Sequence, residues 1–105
     1  MAGWVRAGVV ADFPAGQGRA VSVDGRDVAV FNVDGQFYAM DNVCPHRGAP
    51  LSDGRLEGGV VTCPWHGWEF DVRTGGLRMD PSRCSKTFSL ERRGDELFVS
   101  LEGAV

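Results

Sequence analysis

Hydrophobic residues along this chain occur in short runs that alternate with polar positions and end at glycine-containing turns. Phe88 and Leu90 alternate with polar neighbours, and Leu97, Val99 and Leu101 also lie at alternate positions, which is the period of two of a half-buried β-strand. Residues 28–31 are apolar at every position, as expected for a strand inside a sandwich. No window of about 11 residues has a convincing helical period. The pattern therefore predicts an all-β sandwich or barrel.

Glycine-containing turns divide these runs into hairpins. Asp24-Gly25 separates residues 19–23 from residues 27–33, and Asp34-Gly35 separates the second run from residues 36–40. An Asp-Gly pair between two such runs is the strongest short-range hairpin signal. Three further turns are predicted from glycine-containing tripeptides: Glu57-Gly58-Gly59, Thr74-Gly75-Gly76 and Arg93-Gly94-Asp95.

Two stretches break the strand pattern. Pro45 and Pro50 interrupt residues 42–52, and Pro64 and Gly67 interrupt a second stretch. Proline removes a backbone donor that regular pairing needs, so both stretches are predicted to be loops. Loops on a rigid scaffold commonly carry the functional residues of a protein.

Each of the two loops offers one cysteine and one histidine as metal ligands. Cys44 and His46 lie in the first loop, Cys63 and His66 lie in the second, and the chain has only these two histidines. Thiolate and imidazole ligands suit zinc, copper or an iron–sulfur cluster, and they do not suit magnesium or calcium. The pattern therefore predicts a metal centre on these four side chains.

The mixture of ligand types within each loop distinguishes the candidate metals. Zinc fingers usually group two cysteines in one pair and two histidines in another. In a two-iron cluster with unequal irons, one iron takes two cysteines and the other takes two histidines. Mixed loops allow each loop to give a thiolate to one iron and an imidazole to the other. An iron–sulfur cluster is therefore favoured. The alternative is a zinc ion with a purely structural role.

The two loops resemble those of the Rieske [2Fe–2S] family, whose motif is C-x-H followed, after a spacer, by C-x-x-H. Residues 44–52 resemble the first loop of that family, residues 63–71 resemble the second, and Thr74-Gly75 resembles the turn that follows. The resemblance implies a Rieske-type β-sandwich or barrel that forms a single domain over residues 1–105. It also implies a small cluster-binding subdomain at about residues 42–72.

The same resemblance implies the roles of the site residues. It implies one [2Fe–2S] cluster, with Cys44 and Cys63 on the inner iron and His46 and His66 on the outer iron near solvent. Gly67 is expected to let the backbone approach the cluster and donate a hydrogen bond to it.

Three further residues are expected to lie outside the ligand set. Pro81 is expected in a third loop that covers the cluster. Cys84 is expected to be a buried thiol outside the ligand set. Trp68 is expected either to shield the cluster from water or to pack in the core.

The residues beyond the ligands favour an electron carrier over an enzyme. A Rieske oxygenase needs a separate iron with two further histidines and a carboxylate, and both histidines of this chain are already assigned. The high-potential Rieske proteins of cytochrome bc-type complexes carry a disulfide between the loops, where this chain has Ala49 and Trp65. Those proteins also place serine and tyrosine hydroxyls where this chain has Trp68 and Phe70.

The expected function is therefore that of a ferredoxin, a one-electron carrier between a reductase and a terminal oxygenase. It is expected to have no catalytic residues of its own. The alternative within the same fold is the small subunit of an assimilatory, NAD(P)H-dependent nitrite reductase.

Composition and charge limit the type of domain, its possible partners and its cellular location. The chain has 105 residues, of which 43% are hydrophobic and 24% charged, as in an ordinary small globular domain. A net charge of −3 without a run of Lys or Arg argues against nucleic acid as a partner. No apolar stretch approaches the ~20 residues of a membrane span. No signal-peptide pattern is evident, so a cytoplasmic monomer without a membrane partner is expected.

Overall fold

The computed structural model describes residues 4–43, 50–64, 67–78, 80–84 and 86–100, with residues 80–84 described by their backbone. These residues form eleven strands and two short 3₁₀ turns, and no α-helix occurs among them. The all-β prediction is confirmed. None of the described segments is a helix long and apolar enough to cross a membrane.

The larger sheet has six antiparallel strands in the order β1-β11-β10-β4-β3-β2. Its two edge strands, β1 and β2, approach each other, so the sheet is almost closed into a barrel. The first 3₁₀ turn (Val10–Asp12) lies in the connection between them. The strands are β1 (Trp4–Val9), β2 (Gly18–Val23), β3 (Arg26–Val33), β4 (Gln36–Asp41), β10 (Thr87–Arg93) and β11 (Glu96–Ser100).

The smaller sheet is an excursion of the chain between β4 and β10. It has five antiparallel strands in the order β5-β6-β7-β8-β9. The two ends of this segment lie side by side, because β4 pairs directly with β10 and the Asp41 N–H donates to the Lys86 carbonyl at 2.9 Å. The second 3₁₀ turn (Leu51–Asp53) precedes five short strands: β5 (Arg55–Glu57), β6 (Val60–Thr62), β7 (Glu69–Asp71), β8 (Gly76–Leu77) and β9 (Asp80–Cys84).

The two Asp-Gly hairpins form as predicted. The β2–β3 turn has φ of 51° at Asp24 and 79° at Gly25, and the β3–β4 turn has 52° at Asp34 and 89° at Gly35. Positive φ at both central residues is the type I′ geometry, whose twist matches that of the flanking strands. Aspartate and glycine tolerate this conformation better than other residues. Local chemistry thus sets the register of β2, β3 and β4.

Strand β3 lies between two hydrophobic cores, which explains its continuous apolar run. Val28 and Val30 pack in the core of the larger sheet, whereas Ala29 and Phe31 face the core that contains residues of the smaller sheet. All four residues are fully buried. Successive side chains of a strand point to opposite faces, so a strand buried on both sides has no polar alternation.

The expectation of a third loop around Pro81 is wrong for residues 80–84. These residues form β9, in which Asp80 pairs with Leu77 and Cys84 pairs with Gly76. Strand β9 is the edge strand of the smaller sheet. An edge strand can hold a proline because one side of its backbone has no ladder partner.

Candidate metal centre

One of the four predicted ligands, Cys63, lies within the part of the chain that the structure describes. Cys44, His46 and His66 lie outside the described residues. Among the described residues, no group of three or more His, Cys, Asp or Glu side chains is placed to hold a metal ion. The assignment of the four ligands therefore stays a prediction, and the described flanks show how the chain presents the two loops.

The second ligand loop is the connection of the β6–β7 hairpin. Val61 pairs with Phe70 and Thr62 with Glu69, so the loop begins at Cys63, directly after β6. The Cys63 N–H donates to the Trp68 carbonyl at 2.7 Å across the base of the loop. This hydrogen bond continues the ladder by one step and closes the loop beside the cysteine.

Gly67 has a role in this loop that differs from the expected one. Its N–H donates to the carbonyl oxygen of Cys63 at 3.1 Å, so the donor is used within the loop and not for a cluster sulfide. Its φ is +74°, a conformation that costs most other residues free energy. Glycine is therefore needed here for the backbone path.

Burial changes sharply along the second loop. Cys63 is 2% exposed and packs in the core with Val61, Phe70 and Leu77, whereas Pro64 and Gly67 are exposed. The chain thus leaves the core at the cysteine and reaches solvent within the loop. A buried cysteine on the protein side fits the inner iron of a two-iron cluster, with Pro64 and Gly67 nearer to solvent.

The first ligand loop, residues 44–49, is also closed at its base. Val43 and Pro50, which flank it, form an isolated antiparallel bridge. The carbonyl oxygen of Asn42 accepts a hydrogen bond from the Leu51 N–H at 2.7 Å. The structure thus brings together the two ends of the stretch that carries Cys44 and His46.

The side chain of Asn42 adds two further contacts at this base. Its Oδ1 accepts from the Ser52 N–H at 2.7 Å, and its Nδ2 donates to Oδ2 of Asp27 at 2.9 Å. Asn42 is 2% exposed. Sequence reasoning missed this residue, because an asparagine at the end of a strand is also common in turns that have no special role.

Gly54 brings the base of the first loop against the start of the second. It ends the second 3₁₀ turn, and its N–H donates to the Leu51 carbonyl at 2.9 Å. A Cβ atom at Gly54 would lie 2.1 Å from the carbonyl oxygen of Thr62, the residue before Cys63. Only glycine permits this approach of the two backbones.

Two aromatic residues after the second loop pack near Cys63. Phe70 is 1% exposed and belongs to the same core as Cys63, and the half-buried Trp68 packs against that core. Their ring centroids are 6.4 Å apart with an interplanar angle of 55°. Of the two expectations for Trp68, packing on the core is the one that the structure confirms.

Charged side chains surround an open groove beside Cys63. Asp53, Arg55, Glu57 and Glu69 are among the residues that line it. Arg55 and Glu57 form an ion pair at 2.9 Å, and Glu69 lies 3.6 Å from Arg78. All four paired side chains are about half exposed or more, so these ion pairs contribute little to stability.

Comparison with known protein families identifies the family of the chain. The family model for the Rieske [2Fe–2S] domain matches residues 3–90 of the chain. The chain belongs to the Rieske [2Fe–2S] domain family. Membership implies a [2Fe–2S] cluster and argues against the zinc alternative.

Two relatives of this Rieske protein are ferredoxins by name, and a third comes from a complex that contains a ferredoxin. The ferredoxin component of a naphthalene 1,2-dioxygenase system from Pseudomonas putida is 43% identical, over 93% of this chain and 95% of that protein. The Sphingomonas yanoikuyae B1 ferredoxin has a TM-score of 0.84 at 33% identity, over 91% of this chain and 96% of that chain. A chain from a complex of oxygenase and ferredoxin in carbazole 1,9a-dioxygenase has a TM-score of 0.81 at 36% identity, covering 92% of both chains.

Proposed function

We propose that this Rieske protein is a ferredoxin that carries single electrons from a reductase to a terminal oxygenase. The observation that carries the proposal is similarity over nearly the full length to the ferredoxin component of a dioxygenase system. A structural relative comes from a complex of oxygenase and ferredoxin, which supports the oxygenase as the docking partner. The similarity favours this role over that of a nitrite reductase subunit.

The ligand set proposed for this function is Cys44, His46, Cys63 and His66, with one cluster per chain. When bound, the cluster supplies a site that accepts and releases one electron. The burial of Cys63 at the core and the exposure of Pro64 and Gly67 in the same loop support a cluster with its cysteine side inward and its histidine side outward. An outward histidine side would bring the cluster edge close to a docked partner.

The proposed organisation is one domain over residues 1–105, with a cluster-binding subdomain at about residues 42–72. The closed bases of both loops lie in that segment, which supports the assignment. We propose a cytoplasmic monomer; the cytoplasmic location is supported by the thiol ligands, which a reducing compartment keeps from forming disulfides.

Two measurements on the purified protein test this proposal. Iron and acid-labile sulfide are expected at about two of each per chain. The reduced protein, mixed with the oxygenase component of a naphthalene dioxygenase system, is expected to lose its electron within the time of one turnover of that enzyme. Cys63→Ser serves as the control that should lack both cluster and transfer. A colourless protein with one zinc ion would contradict the cluster, and a loaded protein that neither accepts nor donates electrons would contradict the carrier role.

A further inference from the structure

We propose that Asn42, paired with Asp27, is a positioning residue that fixes the first ligand loop in the geometry the cluster requires. The inference rests on the proposed ligand set, which places Cys44 and His46 in that loop. It concerns two residues outside the loop, one at the end of β4 and one on β3.

The hydrogen bonds of Asn42 connect three separate parts of the chain. Its backbone N–H donates to the Asp27 carbonyl at 3.0 Å, and its Nδ2 donates to the Asp27 carboxylate at 2.9 Å. Its carbonyl oxygen and its Oδ1 accept from the N–H groups of Leu51 and Ser52, both at 2.7 Å. The residue thus contacts β3 on one side and the chain just after the ligand loop on the other.

The chemistry of these partners fixes the orientation of the Asn42 amide. A carboxylate such as that of Asp27 only accepts hydrogen bonds, and the backbone N–H of Ser52 only donates one. The side chain between them has to donate to the first and accept from the second, and the Nδ2 and Oδ1 atoms of Asn42 do so. Because Asn42 is buried, a variant that loses either bond leaves a polar group without its partner, which costs more than the bond itself contributes.

The effect of this pairing extends to the second ligand loop. Ser52 lies in the second 3₁₀ turn, which ends at Gly54 in close approach to the Thr62 carbonyl. Thr62 directly precedes Cys63. A shift at Asn42 would therefore move the base of the first loop relative to Cys63, and with it the relative positions of ligands from the two loops.

A charge-swap series tests the pairing. Asn42→Asp keeps the acceptor for the Ser52 N–H but places two carboxylates against each other. The double variant Asn42→Asp with Asp27→Asn restores this hydrogen bond in the opposite direction, because the amide at position 27 now donates to the carboxylate at position 42. Its net charge equals that of the wild type. We expect Asn42→Asp to lose the cluster about tenfold faster than the wild type and to change the midpoint potential and the EPR g-values of the reduced cluster. The double variant should return to within about twofold of the wild-type rate.

A matched control separates positioning from general loss of stability. Asn32 is also a buried asparagine on β3, with Nδ2 donating to the Phe13 carbonyl at 2.6 Å and Oδ1 accepting from the Gly35 N–H at 2.8 Å. Asn32→Asp should lower the thermal stability and leave the g-values and the midpoint potential of the loaded protein unchanged.

The outcomes distinguish this inference from the proposed function. A wild-type protein without a cluster contradicts the proposed function itself. Two results overturn the role of Asn42 when the wild type does hold a cluster. One is an Asn42→Asp variant that differs from the wild type only in thermal stability. The other is a double variant that loses the cluster as fast as Asn42→Asp. If Asn42→Asp does not fold, Asp27→Ala takes its place: about threefold faster cluster loss is expected, and a wild-type rate with wild-type g-values overturns the inference.

Discussion

The backbone N–H of Cys63 donates to the carbonyl oxygen of Trp68 at 2.7 Å, so a predicted cluster ligand is held by the hydrogen bond that closes its own loop. The Gly67 N–H returns a second bond to the Cys63 carbonyl. Both polar groups of the cysteine backbone are thus satisfied inside the loop. The hairpin therefore sets the position of the Cys63 backbone, and the proposed role of its side chain is to bind the cluster.

Gly67→Ala is expected to weaken both the fold and cluster retention. Among the described residues, apart from its immediate chain neighbours, no atom lies within 4 Å of a Cβ placed at Gly67, and its φ is +74°. The cost is therefore conformational, about 1–2 kcal/mol for an L-residue in this region. Urea unfolding followed by circular dichroism measures the stability, and the decay of visible absorbance measures cluster loss.

Gly94→Ala is the matched control for this prediction. Gly94 has a φ of +62° and open space around its Cβ position, but it lies in the β10–β11 turn. It should lose a similar amount of stability with no change in the rate of cluster loss. Equal rates of cluster loss in the two variants would show that the Gly67 conformation does not support the site.

Gly54→Ala should be damaging for a different reason. The φ of Gly54 is −77°, which alanine adopts readily, but the added Cβ would lie 2.1 Å from the Thr62 carbonyl oxygen. One of the two backbones must move, at a cost of about 1–3 kcal/mol. Lower iron content after purification and a lower urea midpoint are the expected results.

Gly76→Ala provides the comparison for Gly54. Of the described atoms outside its chain neighbours, its Cβ would meet the Thr74 hydroxyl oxygen alone, at 3.2 Å, and Gly76 lies in strand β8. We expect normal iron content in this variant. Normal iron content in Gly54→Ala as well would contradict the view that close approach of the two loop bases is needed to hold the cluster.

The features that sequence reasoning predicted correctly depend on local chemistry. Asp24-Gly25 and Asp34-Gly35 define hairpins because each dipeptide contains its own turn preference. The continuous apolar run in residues 28–31 correctly indicated a strand buried on both faces. Family resemblance rested on two short motifs, each contained in a single loop.

The features that were missed depend on contacts between distant parts of the chain. Asn42 contacts Asp27 and Ser52 only because β3 and the second 3₁₀ turn lie on either side of it. Gly54 shows no local sign of its approach to Thr62. The family resemblance favours a loop around Pro81, whereas residues 80–84 form a strand whose tolerance of proline depends on its place at the sheet edge.

Cys84→Ser is expected to keep the cluster. Cys84 pairs with Gly76 in the edge strand β9, and the proposed ligand set already supplies four ligands. The visible absorption spectrum and the iron content should equal those of the wild type. Loss of either would mean that the ligand set is wrong.

His66→Ala is expected to lower both cluster content and thermal stability, because metal binding is coupled to folding. Chemical removal of the cluster from the wild type provides the control. The apo wild type and the apo variant should unfold at the same temperature, since the histidine stabilises the fold through the metal. A variant with the full visible spectrum of the wild type would remove His66 from the ligand set.

The reduction potential should lie near the low end of the Rieske range, at about −150 mV. Hydrogen bonds to a cluster raise its potential because they stabilise the negative charge added on reduction. The resemblance places serine and tyrosine hydroxyls of high-potential members at the positions of Trp68 and Phe70, and neither side chain has a hydroxyl. Protein-film voltammetry measures the potential, and a value above about +100 mV would favour the high-potential class instead.

The reverse substitutions test which residues keep the potential low. Trp68→Ser with Phe70→Tyr introduces two hydroxyl donors, each worth about 0.5–1.5 kcal/mol if it acts on the reduced state alone. Since about 59 mV corresponds to a tenfold change for one electron, each donor should raise the potential by about 20–60 mV. Phe70 is 1% exposed in the core that contains Cys63, so its new hydroxyl has to find a partner there or destabilise the protein. Phe88→Tyr is the matched control, because Phe88 is buried in the other core. This variant should leave the reduction potential unchanged. An equal rise of the potential in Phe88→Tyr and in the double variant would mean that general loosening of the fold causes the effect.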